Sequence, residues 1–236
     1  MMNNFIYILF VFVAMLSSSG IHAQHNDYRV KYLTNSKIKV DGRLKESDWK
    51  KCKRITNFVS PWKNVPLEST VFRAAYDERN FYFAFEVTDN KIITSPKKEE
   101  IAATEADRVE LFFSHDTSMI PYYCFEMAPN ELVYDYKAQF HRQFFAEWRA
   151  AGVTVKACIS KNKYVIEGVM PLSLIAQING TTSSLRGTSV LAGVFRADKD
   201  IVSSSEDDFT WISWIRPNAD QPDFHIPSAL GTFKFE

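Results

Sequence analysis

The chain is poor in the residues that build the commonest sites and staples. It has three cysteines (Cys52, Cys124, Cys158), so one bridge would leave a thiol over. It is not a disulfide scaffold, and no CxxC or Cys/His spacing points to zinc. Eight glycines in 236 residues form no phosphate-cradling loop, and neither GxSxG nor HExxH occurs. Five histidines (His22, His25, His115, His141, His225) stand in unrelated contexts, too scattered for a triad or a metal cluster. Neither sign of charge is in excess, with 28 Lys and Arg against 28 Asp and Glu. A neutral chain lacks the basic face that nucleic acid or an anionic membrane surface attracts. There is no internal repeat, no low-complexity tract and no long helical periodicity.

One long apolar run is present, FIYILFVFVAML at residues 5–16. It is too short for a comfortable membrane span, and Ile21-His22-Ala23 makes a passable cleavage site. The run therefore predicts a secretory signal peptide over residues 1–23 and an exported chain (periplasmic, cell-surface or secreted) with no membrane insertion after cleavage. No cysteine follows it closely, which argues against a lipid anchor. Residues 24–37 read as a leader and 38–236 as one domain, long enough to bury an ample core. Nineteen Phe, ten Tyr and five Trp make the chain aromatic-rich, which suits β-sandwiches and sugar sites alike.

The pattern along the chain is β throughout. Ile38 to Lys51 reads as a short strand, an Asp-Gly turn and one or two helical turns, with Trp49 packing inward. Thr70 to Asp89 is the clearest hairpin, turning at Asp77-Glu78-Arg79-Asn80 and alternating Phe81, Phe83, Phe85 and Val87 toward a core. Further strands are expected at 107–113, 122–127, 131–137, after Gly152, at 189–198, 209–215 and 229–236. Another begins at Lys163, stops at Pro171 and leads into a brief helical turn. Many short strands separated by turns predict an all-β, antiparallel sandwich of jelly-roll type.

DRVELFF, Asp107 to Phe113, sets a charged pair into an apolar strand. Strand alternation sends Val109, Leu111 and Phe113 one way and Arg108, Glu110 and Phe112 the other. If YYCFEM (Tyr122 to Met127) pairs with it through a turn at Thr117 and Ser118, Glu110 and Glu126 become direct neighbours. Facing like charges are destabilising, so the pair requires a cation, a hydroxylated ligand or a wet edge. A register shifted by two residues would instead leave two separately solvated glutamates.

Sugar binding needs an aromatic plate for the CH face of a ring and charged or amide groups for its hydroxyls. RPNADQPDFHIP (Arg216 to Pro227) is a loop that presents Phe224 and His225, with Asn218, Gln221, Asp223, Glu110 and Arg196 as candidate polar groups. Catalysis is a rival, since Glu110, Glu126 and Glu167 could supply two carboxylates for glycoside hydrolysis. Trp49, Trp211 and Trp214 read as core, and residues 211 and 214 fall on opposite strand faces. Arg108 and Arg196 have a structural alternative, pairing with strand glutamates.

The order VDGRLKESDW, YDERNFYFAFEVTDN, DRVELFF, YVIEGVMPLSLI, GVFRAD, WISW and PDFHIPSALGTFKF resembles the family 9 carbohydrate-binding modules, in a divergent, single-domain exported form. The resemblance covers about Ile38 to Glu236. It implies a jelly-roll sandwich, often with structural calcium, that binds xylan- or cellulose-derived sugars between two tryptophans with a strand glutamate. By position the glutamate is Glu110, and one tryptophan falls at or near Phe224. The other falls near Thr104, where no aromatic stands, and Trp62 or Trp148 could replace it. The family's basic residue on the next strand falls near Glu126, a charge reversal. No cofactor is required; for calcium, Asp41, Asp77, Asp89 and Asp107 are candidates. The expected ligand-binding set is Glu110, Phe224, Arg196, Glu126, Arg108 and His225, serving an oligo- or polysaccharide without turnover. An envelope protein-interaction module that lost the sugar site, and a glycan hydrolase, stand as alternatives.

Overall fold

The structure, a computed structural model, describes residues 26–145, 147–182, 184–201 and 208–236. The signal-peptide reading and its cleavage site lie outside them. Among the described residues no helix is long and apolar enough to cross a membrane.

Among the described residues twelve strands are hydrogen-bonded together, eleven of them on one continuous path that folds into two facing sheets. They are β1 (Asp27–Tyr32), β2 (Thr70–Tyr76), β3 (Asn80–Thr88), β4 (Arg108–Ser114), β5 (Tyr122–Met127) and β6 (Val133–Gln139). They continue as β7 (Gln143–Phe145), β8 (Thr154–Ser160), β9 (Lys163–Pro171), β10 (Ser189–Lys199), β11 (Phe209–Ser213) and β12 (Gly231–Phe235). The first sheet runs β7-β6-β5-β4-β10-β12-β1, with β11 also on β10; the second runs β1-β2-β3-β9-β8. β1 joins them: Asp27 to Val30 pair with β12, and Lys31 and Tyr32 pair with β2, both in parallel. The segment read as a leader thus contains the strand that links the two sheets. Conversely, no strand forms at Ile38.

The all-β sandwich follows from period-two patterning. Phe81, Phe83, Phe85 and Val87 of β3 interleave with Val109, Leu111 and Phe113 of β4 and with Phe233 of β12 in one buried core. Phe81 meets Phe113 edge-on at 5.9 Å and Phe233 at 6.3 Å across the sheets. Such full burial contributes about 1.5–3 kcal/mol per ring. Pro171 ends β9 and Leu172–Ile178 forms α1, a single short helix that closes at Asn179 and Gly180, where φ is +65°.

Both outer faces are covered by irregular chain. On the second sheet, residues 33–52 pack Leu33, Trp49 and Cys52 over Ala75, Tyr82 and Ala84. Glu167 of β9 fastens this cover by accepting hydrogen bonds from the Asp41 and Gly42 amides (2.9 and 2.8 Å) and from Trp49 Nε1 (2.8 Å). Gly42 is required at that turn, since its φ is +77° and a Cβ would lie 2.7 Å from the Ala157 carbonyl carbon. On the first sheet, the 216–227 loop lays Phe224 over Phe195 and Phe112, forming a second, smaller core.

Candidate functional site

β4 and β5 pair in the register that makes Glu110 and Glu126 direct neighbours. Both side chains lie on the outer face of the first sheet, buried at 2 % and 6 % exposure. The cation that the pair requires comes from the same strand: Arg108 Nε stands 2.9 Å from Glu110 Oε1 and 2.8 Å from Glu126 Oε2. Arg108 also donates to the Thr104 carbonyl (3.0 Å), and its guanidinium lies over the rings of Phe209 and Trp211 at 5.2 and 5.3 Å. Tyr136 of β6 donates to Glu126 Oε1 at 2.9 Å. Burial and the facing Glu126 push the Glu110 carboxyl up to about 8, against the pull of Arg108.

These groups floor a cavity of about 300 Å³. Its walls come from four places: Trp62, the Ile101–Thr104 turn, Tyr134 with Phe144 of the β6–β7 hairpin, and Trp211 with the Pro222–His225 loop. Asp223 ties the hairpin to that loop, accepting from Arg142 (3.0 Å), pairing with His141 Nε2 (2.8 Å) and accepting the His225 amide. His225 Nδ1 is 2.8 Å from the Tyr122 hydroxyl, and burial lowers the imidazole to about 3, so the ring is neutral.

Five of the six expected residues therefore meet here: Arg108, Glu110, Glu126, Phe224 and His225. Arg196 does not. It pairs with Val109 rather than with Glu110, so its side chain points to the opposite face of the sheet, fully buried. There it contacts Asp89 (3.2 Å) and Asp198 (3.0 Å), and a hydrogen bond to a ligand in the slot is out of its reach. Phe224 belongs to the site in another role from the one expected. It is 5 % exposed and stacked on Phe195 at 4.1 Å, so it forms the bed beneath Trp62 (5.5 Å) and Trp211 (5.8 Å). Trp62 lines the same slot as Thr104, whereas Trp148 packs against Tyr123 and Phe125 in the main core. Trp211, read as core, lines the slot, and Trp214 on the other face is core. Asn218 and Gln221 stay outside the slot. Tyr134, Tyr136 and Phe144 were missed; the alternation of VYDYK, paired to YYCFEM, holds the signal for the two tyrosines. Glu167, the third candidate acid, is on the other sheet, committed to the Gly42 turn and Trp49.

Of the calcium candidates, Asp41 and Asp77 cap their own turns, accepting from the Arg43 amide and from the Arg79 and Asn80 amides. Asp89 and Asp107 converge with Asp198, their nearest carboxylate oxygens all within 4.8 Å of one another. Burial and mutual repulsion raise Asp107 to about 7 and Asp198 to about 6. Arg196 sets one guanidinium against three carboxyl groups, and its Nε and the buried Tyr164 hydroxyl beside it have no hydrogen-bond partner among the described residues. An all-oxygen donor set with surplus negative charge fits a hard divalent cation.

A larger hollow, about 670 Å³, lies beside α1. The Tyr76 hydroxyl there is spent on the Glu236 carbonyl, and Arg186 sits over the Tyr32 ring at 5.0 Å. It gathers none of the expected sugar-binding residues.

The fold and the slot define the class: a jelly-roll-type β-sandwich carrying an aromatic-walled ligand slot on the outside of one sheet. The chain belongs to the carbohydrate family 9 binding domain-like family, whose model matches residues 40–236. Three solved structures share the fold. A protein of Bacteroides uniformis ATCC 8492 proposed to bind carbohydrate superposes with a TM-score of 0.72 at 19% identity, covering 89% of this chain and 99% of that one. A family 9 carbohydrate-binding module of Caldicellulosiruptor kristjanssonii, solved with glucose, gives 0.61 at 14% identity, covering 89% and 95%. Its cellotriose complex gives 0.61 at 12% identity, covering 89% and 93%. No curated protein matches the chain.

Proposed function

We propose that this is an exported protein that binds a glycan-derived sugar in the slot without transforming it, within a polysaccharide-utilising system. The observation that carries the reading is the floor: two buried carboxylates facing a cavity walled by Trp62, Trp211, Tyr134 and Phe144. Rings stack on the aromatic walls while hydroxyls reach charged acceptors, the division of labour that a sugar demands. A structural relative holds glucose and cellotriose, which favours neutral sugar units of cellulose or xylan type as the first ligands to try. Binding rather than hydrolysis is favoured by the acids' placement. Glu110 and Glu126 sit side by side on one sheet face and share Arg108, whereas glycosidases set their two carboxylates on either side of the scissile bond.

Glu110→Ala should cost about 0.5–1.5 kcal/mol of sugar affinity at pH 7, the scale for a hydrogen bond to a carboxyl that keeps its proton there, which is roughly two- to tenfold in Kd. Calorimetric titration with cello- and xylo-oligosaccharides checks this; unchanged affinity in a folded variant would sink the assignment. Product release from xylan by the purified protein would replace it with a hydrolase.

Calcium is proposed as a structural ion held by Asp89, Asp107 and Asp198, where it would neutralise the surplus charge between the sheets. Millimolar calcium should raise the melting temperature, and Asp107→Asn should abolish the rise. An equal rise in both proteins would move the ion elsewhere. Export is tested by sequencing the mature N-terminus, expected at Gln24.

A further inference from the structure

The floor of the slot sets two carboxyl groups against a single guanidinium, and this bears on which sugar it takes. Arg108 Nε bears a single hydrogen, and its aligned hydrogen bond goes to Glu110 Oε1 at 2.9 Å. Glu126 Oε2 stands 2.8 Å from the same nitrogen without receiving a hydrogen bond, and it has no other donor among the described residues. Glu126 is nevertheless more than nine-tenths buried and lines the cavity. A buried acceptor that receives no hydrogen bond costs free energy until a donor arrives.

The other groups facing the floor do not supply that donor. Tyr136 gives its hydroxyl to Glu126 Oε1, on the far side of the carboxylate. Arg142 turns to Asp223 at 3.0 Å, and His141 pairs with the same acid. His225 is bonded to Tyr122 and carries no charge. Two carboxylates thus share one guanidinium beneath four aromatic walls. Below about pH 8 a proton on Glu110 relieves this crowding, and a ligand cation on the floor would take that proton's place.

We infer that the slot takes an amino sugar, with the primary ammonium of a glucosamine-type residue seated on Glu126 Oε2. This rests on the sugar-binding reading of the same site and narrows it. An ammonium brings three donors and one positive charge, which completes the Glu110–Arg108–Glu126 cluster. Aromatic faces around it are attractive to a cation, while a hydroxyl brings a donor without the charge. N-acetylation removes the charge and adds bulk, so N-acetylglucosamine units should lose the advantage.

The test is calorimetry of the mature protein with three ligands of equal length: a glucosamine trimer, an N-acetylglucosamine trimer and cellotriose, at pH 6 and low salt. The glucosamine trimer should bind at least tenfold tighter than either neutral sugar, and raising the salt should weaken it selectively. Glu126→Gln should bring it down to the cellotriose level. Should that variant fail to fold, the wild-type ranking and its salt dependence decide alone. Cellotriose binding as tightly as the glucosamine trimer would overturn the inference and leave sugar binding standing. No saturable heat with any of the three, from folded protein, would overturn both.

Discussion

Arg108 holds two carboxylates through one nitrogen, and this sets how Glu110 titrates. The demand for a cation was legible in DRVELFF, because strand alternation and a hairpin bring Glu110 opposite Glu126. That the cation is Arg108, two residues away on the same face, follows from the same parity. Arg196 was misjudged for want of that parity: opposite Val109 it faces the core, while Phe195 is the residue opposite Glu110. The titration has a stability consequence. The fold keeps the Glu110 proton until about pH 8, while the unfolded chain releases it near the ordinary 4.5. The stabilisation is therefore complete below pH 4.5 and is lost as pH rises toward 8. Asp107 and Asp198, raised to about 7 and 6, act in the same direction over the lower part of that window. Asp48, Glu86 and Asp223 are lowered and act only in acid. His225, lowered to about 3, acts the other way and adds stability up to about pH 6.5, so in metal-free buffer the melting temperature should fall by at least about 3 °C between pH 6.5 and pH 8. Glu110→Gln should flatten the upper half of that fall; an identical slope in the variant would contradict the assignment.

Strands that carry strict alternation were readable, and β2, β3, β4 and β5 emerge close to where they were expected. Two were not. β1 is only six residues, DYRVKY, with charges among its apolar positions, and its two parallel partners, β2 and β12, lie far from it and from each other in the chain. β7 is three exposed residues at a sheet edge, below what periodicity can register. The VDG turn was read as a turn, but its anchor lies far along the chain in Glu167. Glu167→Ala would leave the Asp41 and Gly42 amides and Trp49 Nε1 without their acceptor. At about 1 kcal/mol for each orphaned donor, the variant should lose about 3 kcal/mol in chemical denaturation. Sugar affinity should hold, since Glu167 is on the other sheet; a loss of affinity with full stability would refute this division.

For the molecule as a whole, the sandwich was legible because its core repeats one simple rule, large apolar residues on alternate positions of many strands. The slot was legible only where it uses strands. Its walls come from Trp62, the Ile101–Thr104 turn, Phe144 and the 216–227 loop, segments that only the tertiary fold brings together. Trp211 carries no mark in the sequence that separates it from core Trp214, apart from facing the other way. These walls also give the most direct test of the account, because Trp62 and Trp211 are partly exposed while Phe224 beneath them is buried. The decisive measurement is calorimetric titration of the mature wild type, Trp62→Ala and Trp211→Ala with cello-, xylo- and glucosamine oligosaccharides, with folding verified by circular dichroism. The account predicts saturable wild-type binding that weakens about fivefold in each variant, the middle of the range for one lost aromatic contact. Wild-type binding that neither variant alters would contradict the slot as the sugar site, and a folded wild type that binds no sugar would contradict the function itself.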